Sequence, residues 1–134
     1  MKKNTVRQGE KSEFIFANRC FVECGYMVSR PLGTADYDLI VEVDKTLHKV
    51  QVKSSMKGDG NVNICKGTNA VKSGKQGKYP YPEDAVDFFA VHEIINDNWY
   101  IIPRSATGSV MNIRLSMRRT GKYSRYKDNW NFDA

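Results

Sequence analysis

An aspartate, a carboxamide and a lysine stand close together in this 134-residue chain: Asp38 in YDLIVEV, and Gln51 and Lys53 in VQVKSS. A carboxylate and a side-chain amide oxygen suit a hard cation such as Mg²⁺, which takes oxygen ligands and keeps several waters. A cation held there lowers the pKa of a bound water and neutralises charge building on a phosphodiester. A lysine beside it orients or deprotonates that water and balances the phosphate's charge. The plainer reading of the same three residues is a cross-strand ion pair between Asp38 and Lys53, with Gln51 an ordinary surface side chain.

Two alternating stretches must position them. Residues 37–43 place Tyr37, Leu39, Val41 and Val43 on one face, and residues 48–54 place Val50 and Val52 on one face. A hairpin that sets Val43 against His48 pairs Val41 with Val50, Leu39 with Val52, Ile40 with Gln51 and Asp38 with Lys53. Directly opposed residues share a side of the sheet. The apolar residues then cluster on one face, and Asp38, Gln51 and Lys53 share the other. A slip of one residue would break this segregation, so the apolar pattern selects the register.

Ahead of the hairpin, Phe14, Ala17, Phe21 and Cys24 recur at helical spacing and predict a helix over 8–24 with these four on its buried face. Gly25 stands where a left-handed C-terminal glycine belongs. Residues 26–30 read as a short strand stopped by Pro31. Residues 56–82 hold five glycines and two prolines without a sustained period and read as a long functional loop. Residues 86–93 and 99–102 read as a second hairpin turning around 95–98 and ending at Pro103. Asp87 reads as a strand-end cap, His92 as a structural residue, and Tyr123, Tyr126 and Trp130 as anchors of a short helix. The order of elements predicts an α/β or α+β domain over 1–134 with a mixed central sheet flanked by helices.

Composition narrows the partners. The net charge is +6, and residues 104–134 carry seven Lys/Arg against two acids, while residues 1–103 carry 14 against 13. Between residues 56 and 81 there are five lysines and a single acid. Two basic segments, the loop 56–82 and the tail 104–134, flank a nearly neutral body, a pattern that suits a phosphate-lined partner. Lys57, Lys66, Lys72, Lys75 and Lys78 of the loop, with Arg118 and Arg119 of the tail, are the candidate contacts to such a partner, and Asn61, Asn63, Asn69 and Gln76 could read base edges if it is DNA; the alternative is a solvated basic surface. No apolar run approaches a membrane span and the N-terminus lacks a signal-peptide pattern, so a cytoplasmic, membrane-free protein is expected. The three cysteines are odd in number, and Cys20 and Cys24 lack the two-residue spacer of paired zinc ligands, so reduced thiols are expected.

GEKSE at 9–13, GYMVSRPLG at 25–33, YDLIVEV at 37–43 and VQVKSS at 50–55 together resemble the PD-(D/E)XK nuclease core, in particular the bacterial group I intron homing endonucleases of that class. The similarity runs on through VDFFAVHEI, WYIIP and YSRYKDNW and so spans nearly the whole chain. It implies a restriction-endonuclease-like fold and Mg²⁺- or Mn²⁺-dependent hydrolysis of double-stranded DNA by a homodimer or higher oligomer. It implies that Asp38 binds metal, that Gln51 fills a ligand position usually held by Glu or Asp, and that Lys53 is the catalytic lysine. The helix acid lies four residues after the family's glycine, which is Gly9 here; that favours Glu13 as catalytic and metal-binding, with Glu10 the alternative. Other readings stay open: a Holliday-junction resolvase-type nuclease, an inactive nucleic-acid-binding module on the same fold, and more remotely a toxin or immunity partner.

Overall fold

The protein is described from a computed structural model, which covers residues 5–55, 60–67, 77–116 and 121–134. Its centre is a five-stranded sheet built from β1 (Met27–Ser29), β2 (Leu39–Val43), β3 (Thr46–Ser55), β7 (Phe88–Glu93) and β8 (Asn98–Pro103), in that spatial order. Neighbours are antiparallel except β3 and β7, which run parallel, so the sheet is mixed as expected. β7 is buried along its whole length and β8 nearly so, which is why both read as unbroken apolar runs.

The first hairpin pairs Val41 with His48 and Leu39 with Val50, two residues away from the predicted register. The turn is only two residues long: Asp44 and Lys45 both take positive φ, 48° and 70°, so the strands pair immediately on either side. Such turns usually advertise themselves with Asn-Gly or Asp-Gly, and this one does not. A shift of two leaves the facing of every paired side chain unchanged, so Gln51 and Lys53 stay on the face opposite Leu39, Val41, Val50 and Val52.

The helix α1 (Thr5–Asn18) lies on the other face of the sheet and continues into a wider π turn over Arg19–Glu23, closed by Gly25 at φ 75°. Its buried side is not the predicted one. Ser12, Phe16 and Cys20 are fully buried, whereas Phe14 is 70% exposed and Phe21 59%. Ser12 explains the choice: its hydroxyl accepts a hydrogen bond from Ser54 Oγ at 2.8 Å and lies 3.2 Å from His92 Nδ1. A polar residue in the middle of the buried stripe hides that stripe from a count of apolar spacing. Phe16→Ala should therefore destabilise the protein by about 3 kcal/mol or more, while Phe14→Ala should stay within roughly 0.5 kcal/mol. Urea unfolding of the two variants distinguishes the faces, and equal losses would restore the predicted one.

Among the described residues, the opposite face of the sheet is covered mainly by short strands. Part of the expected loop is ordered into β4 (Asn61–Asn63), which pairs with β9 (Asn112–Arg114), and β5 (Cys65–Gly67), which pairs with β6 (Lys78–Pro80). Three-residue strands paired with distant partners leave no periodicity to detect. The expected basic tail also folds back: Tyr123 and Tyr126 are buried around a short 3₁₀ turn, Trp130 stacks on Phe16 with centroids 5.6 Å apart, and Phe132 enters the core. The short helix α2 (Arg104–Thr107) holds Arg104 buried, its guanidinium donating to the carbonyl of Tyr81. Asp87 acts at a strand end as expected, its carboxylate accepting from the Lys49 amide.

Candidate active site

Asp38 immediately precedes β2, one position beyond the last regular pair of the hairpin. Its amide donates to the Val50 carbonyl and its carboxylate accepts from the Val52 amide, both at 2.9 Å. A strand amide points sideways within its sheet, so this bond holds the Asp38 carboxylate in the sheet plane, against the stretch of β3 that carries Gln51. Groups on either face are then within its reach. Gln51, half-buried, and Lys53 project from β3 on the face away from α1.

Glu13 comes from the helix side. The Ser12 ties to β3 and β7 fix the rotation of α1, and Glu13 follows directly. Burial first, then the neighbouring Asp38 carboxylate, push the Glu13 carboxyl above its usual range, and Arg30 pulls the other way. Burial likewise raises Asp38, opposed by the Val52 hydrogen bond and then by Lys53 and Arg30. Glu10 is exposed and exerts a weaker influence on Glu13 than burial, Asp38 or Arg30. Of the two candidate helix acids, Glu13 is the one beside Asp38.

Lys53 sits under a lid that the sequence does not announce. Its Nζ lies 5.3 Å from the centroid of the Tyr81 ring, an arrangement in which the ring face attracts the cation. Burial lowers the pKa of the ammonium, and Asp38 and then Cys65 raise it again. The Tyr81 ring packs edge-on to Phe89 and its carbonyl is clamped by Arg104, so the lid is rigidly held. Burial and the nearby Asp38 push the Tyr81 hydroxyl up to about 12, which keeps it protonated. Nothing local in the sequence marks Tyr81; its place depends on a clamp 23 residues away.

Among the described residues no three His, Cys, Asp or Glu side chains converge as a metal cluster. The donors available are two carboxylates, Glu13 and Asp38, with the carboxamide of Gln51. Two mutually repelling carboxylates and an amide oxygen match the hard oxygen donors of Mg²⁺ or Mn²⁺, with water completing the shell. They do not suit a thiolate-bound metal.

The raised proton affinity of Glu13, due to burial first and then to Asp38, has a measurable consequence for stability. A carboxyl whose pKa is higher in the folded than in the unfolded protein binds its proton more tightly when folded. Its favourable contribution is present below the unfolded pKa and is lost as pH rises through the folded pKa. In EDTA at neutral pH, Glu13→Gln should therefore raise the melting temperature relative to wild type, and the gain should vanish in acid, where both carboxyls carry protons. Equal melting temperatures at neutral pH would mean that neither burial nor Asp38 disfavours the charged form of Glu13 in the folded protein.

Of the candidate DNA contacts, Lys57, Lys72, Lys75, Arg118 and Arg119 lie outside the described residues, as do Asn69 and Gln76. Lys66 forms an ion pair with Asp36, and Lys78 is exposed on β6. Asn61 and Asn63 are exposed on β4. Among the described residues no helix is long and apolar enough to cross a membrane.

The family model for the PD-(D/E)XK endonuclease matches residues 3–133. A solved bacterial homing endonuclease, I-Ssp6803I, shares the fold with a TM-score of 0.75 at 24% identity, over 96% of this chain and 91% of its own. No match is found among curated proteins.

Proposed function

The chain belongs to the PD-(D/E)XK endonuclease family, and from that premise we propose that it hydrolyses phosphodiester bonds of double-stranded DNA with Mg²⁺ or Mn²⁺ as cofactor. The observation that carries this reading is the meeting of Glu13, from a helix, with Asp38, at the start of a strand: the Asp38 carboxylate adds to burial in raising the proton affinity of Glu13, and the Lys53 ammonium acts on Asp38. Glu13, Asp38 and Gln51 would hold the cation. When bound, it supplies a more acidic water and positive charge at the scissile phosphate. Lys53, fixed on the face of Tyr81, balances the charge that builds on the phosphate oxygens and orients the attacking water. The leaving 3′-oxygen takes its proton from solvent.

Lys78, together with Lys57, Lys72, Lys75, Arg118 and Arg119, would meet the DNA backbone, Lys66 only after giving up Asp36. Lys78→Ala should weaken DNA binding evenly across sequences and reduce the log–log salt slope by about one. An unchanged slope would move β6 away from the DNA. Cutting both strands of a duplex with one site per chain calls for two or more copies acting together, so a homodimer or higher oligomer is part of this reading.

The test is incubation of the protein with supercoiled plasmid, linear duplex and a four-way junction, with Mg²⁺ and with EDTA. The expected result is plasmid nicking and linearisation in Mg²⁺ alone. Cleavage restricted to the junction would replace this reading with a resolvase, and binding without cleavage of any form would replace it with a nucleic-acid-binding module.

A further inference from the structure

Among the described residues, Arg30 is a second cation that acts on both Glu13 and Asp38, and nothing within the GYMVSRPLG stretch singles it out. It follows the last residue of edge strand β1, and its Nη1 lies 3.4 Å from Glu13 Oε1. Its charge also reaches Asp38. The pair is uneven: the Arg30 side chain is 62% exposed, Glu13 only 19%. A single long contact is not the forked, short pairing that fixes an arginine to a carboxylate. Beyond the acids, Arg30 borders an apolar groove with Phe14, Ala17, Val28 and Leu39, which supports the stem while the head stays in water. Among the described residues, two carboxylates face two side-chain cations, Arg30 and Lys53. A divalent cation arriving between the carboxylates would overcompensate them and repel the nearest mobile positive charge. Arg30 is that charge, because Lys53 is held against Tyr81.

We propose that Arg30 is an exchangeable counterion that neutralises Glu13 and Asp38 at rest, gives them up to the incoming divalent cation, and then binds a non-bridging oxygen of the scissile phosphate. This rests on the reading of the site as cation-binding given above. A guanidinium suits the second task because its planar fork matches phosphate geometry.

The test pairs Mn²⁺ titration of the DNA-free protein by calorimetry, at low ionic strength, with single-turnover plasmid cleavage. Arg30→Gln removes the competing charge, so it should bind Mn²⁺ about threefold to fivefold more tightly, the range of an exposed ion pair. The same variant should cleave about tenfold to a hundredfold more slowly, having lost a donor to the phosphate. Arg30→Lys should keep wild-type Mn²⁺ affinity and part of the rate. Opposite signs in the two measurements are the signature of the exchange. Unchanged or weaker Mn²⁺ binding by Arg30→Gln, or an undiminished rate, would overturn it. Wild-type protein that binds no Mn²⁺ would instead overturn the cation site itself, and this inference with it.

Discussion

Lys53→Ala should reduce DNA cleavage by about 10⁴-fold or more, equivalent to roughly 5.5 kcal/mol of barrier, while leaving DNA binding in place. The ammonium lies over the face of Tyr81, 5.3 Å from the ring centroid, and within the electrostatic reach of Asp38. Charge placed in advance where the transition state becomes negative acts without reorganisation, which is why its removal falls on the rate rather than on affinity. Lys53→Met keeps much of the stem's packing against Tyr81 and should lose as much activity, which separates the charge from the packing. Asp38→Ala should abolish cleavage to a similar degree, but its effect on the fold differs. The facing of Asp38 alone suggests a silent surface substitution; the bond from the Val52 amide means that Ala leaves a half-buried donor unpaired, at about 1–3 kcal/mol. Asp38→Asn retains an acceptor and should recover most of that stability without recovering cleavage. Should either Lys53 variant cut at the wild-type rate, the catalytic centre lies elsewhere.

Gln51→Ala should slow cleavage by about 10³-fold, roughly 4 kcal/mol of barrier, whereas Gln51→Glu should stay within about tenfold of wild type. Gln51 lies between Val50 and Val52, whose carbonyl and amide are both engaged by Asp38, so its backbone is locked beside that carboxylate. Glu places an oxygen at the same reach as Gln, and a ligand set of hard oxygens survives the change. Glu also adds a third negative charge to a pair that already repel. Saturation should therefore come at a lower Mg²⁺ concentration, while the cation's bound water becomes less acidic and the plateau rate falls modestly. Ala removes the oxygen. Cleavage rate against Mg²⁺ concentration for the three proteins checks this, and a Gln51→Ala curve that tracks wild type would leave Glu13 and Asp38 as the only side-chain ligands.

The strands that carry the site were legible because period-two alternation is set by burial on one face of a sheet, and 37–43 and 48–54 alternate cleanly. The register was not. Asp44 and Lys45 form a tight turn without a glycine, and only the even size of the resulting shift preserved the faces. The helix was legible in extent and misread in orientation, since the residue that fixes its rotation is Ser12, a polar side chain satisfied across 80 residues of sequence by His92. That same tie turns Glu13 toward Asp38, a placement that helical spacing alone does not give. Tyr81 and Arg30 were invisible for a related reason: each matters through a neighbour brought by the fold, Lys53 in one case and Glu13 in the other. The basic segments were legible as charge, but part of that charge is committed within the protein, Lys66 to Asp36 and Arg104 to the carbonyl of Tyr81.

The most direct test of the central claim is the rate of supercoiled-plasmid nicking against Mg²⁺ concentration, with wild type and Lys53→Ala measured side by side. A cation-dependent endonuclease centred on Asp38, Gln51 and Lys53 gives saturating Mg²⁺ dependence in the wild type, no nicking in EDTA, and no nicking by Lys53→Ala at any Mg²⁺ concentration. Nicking by wild type that persists in EDTA, or that Lys53→Ala reproduces, would contradict it.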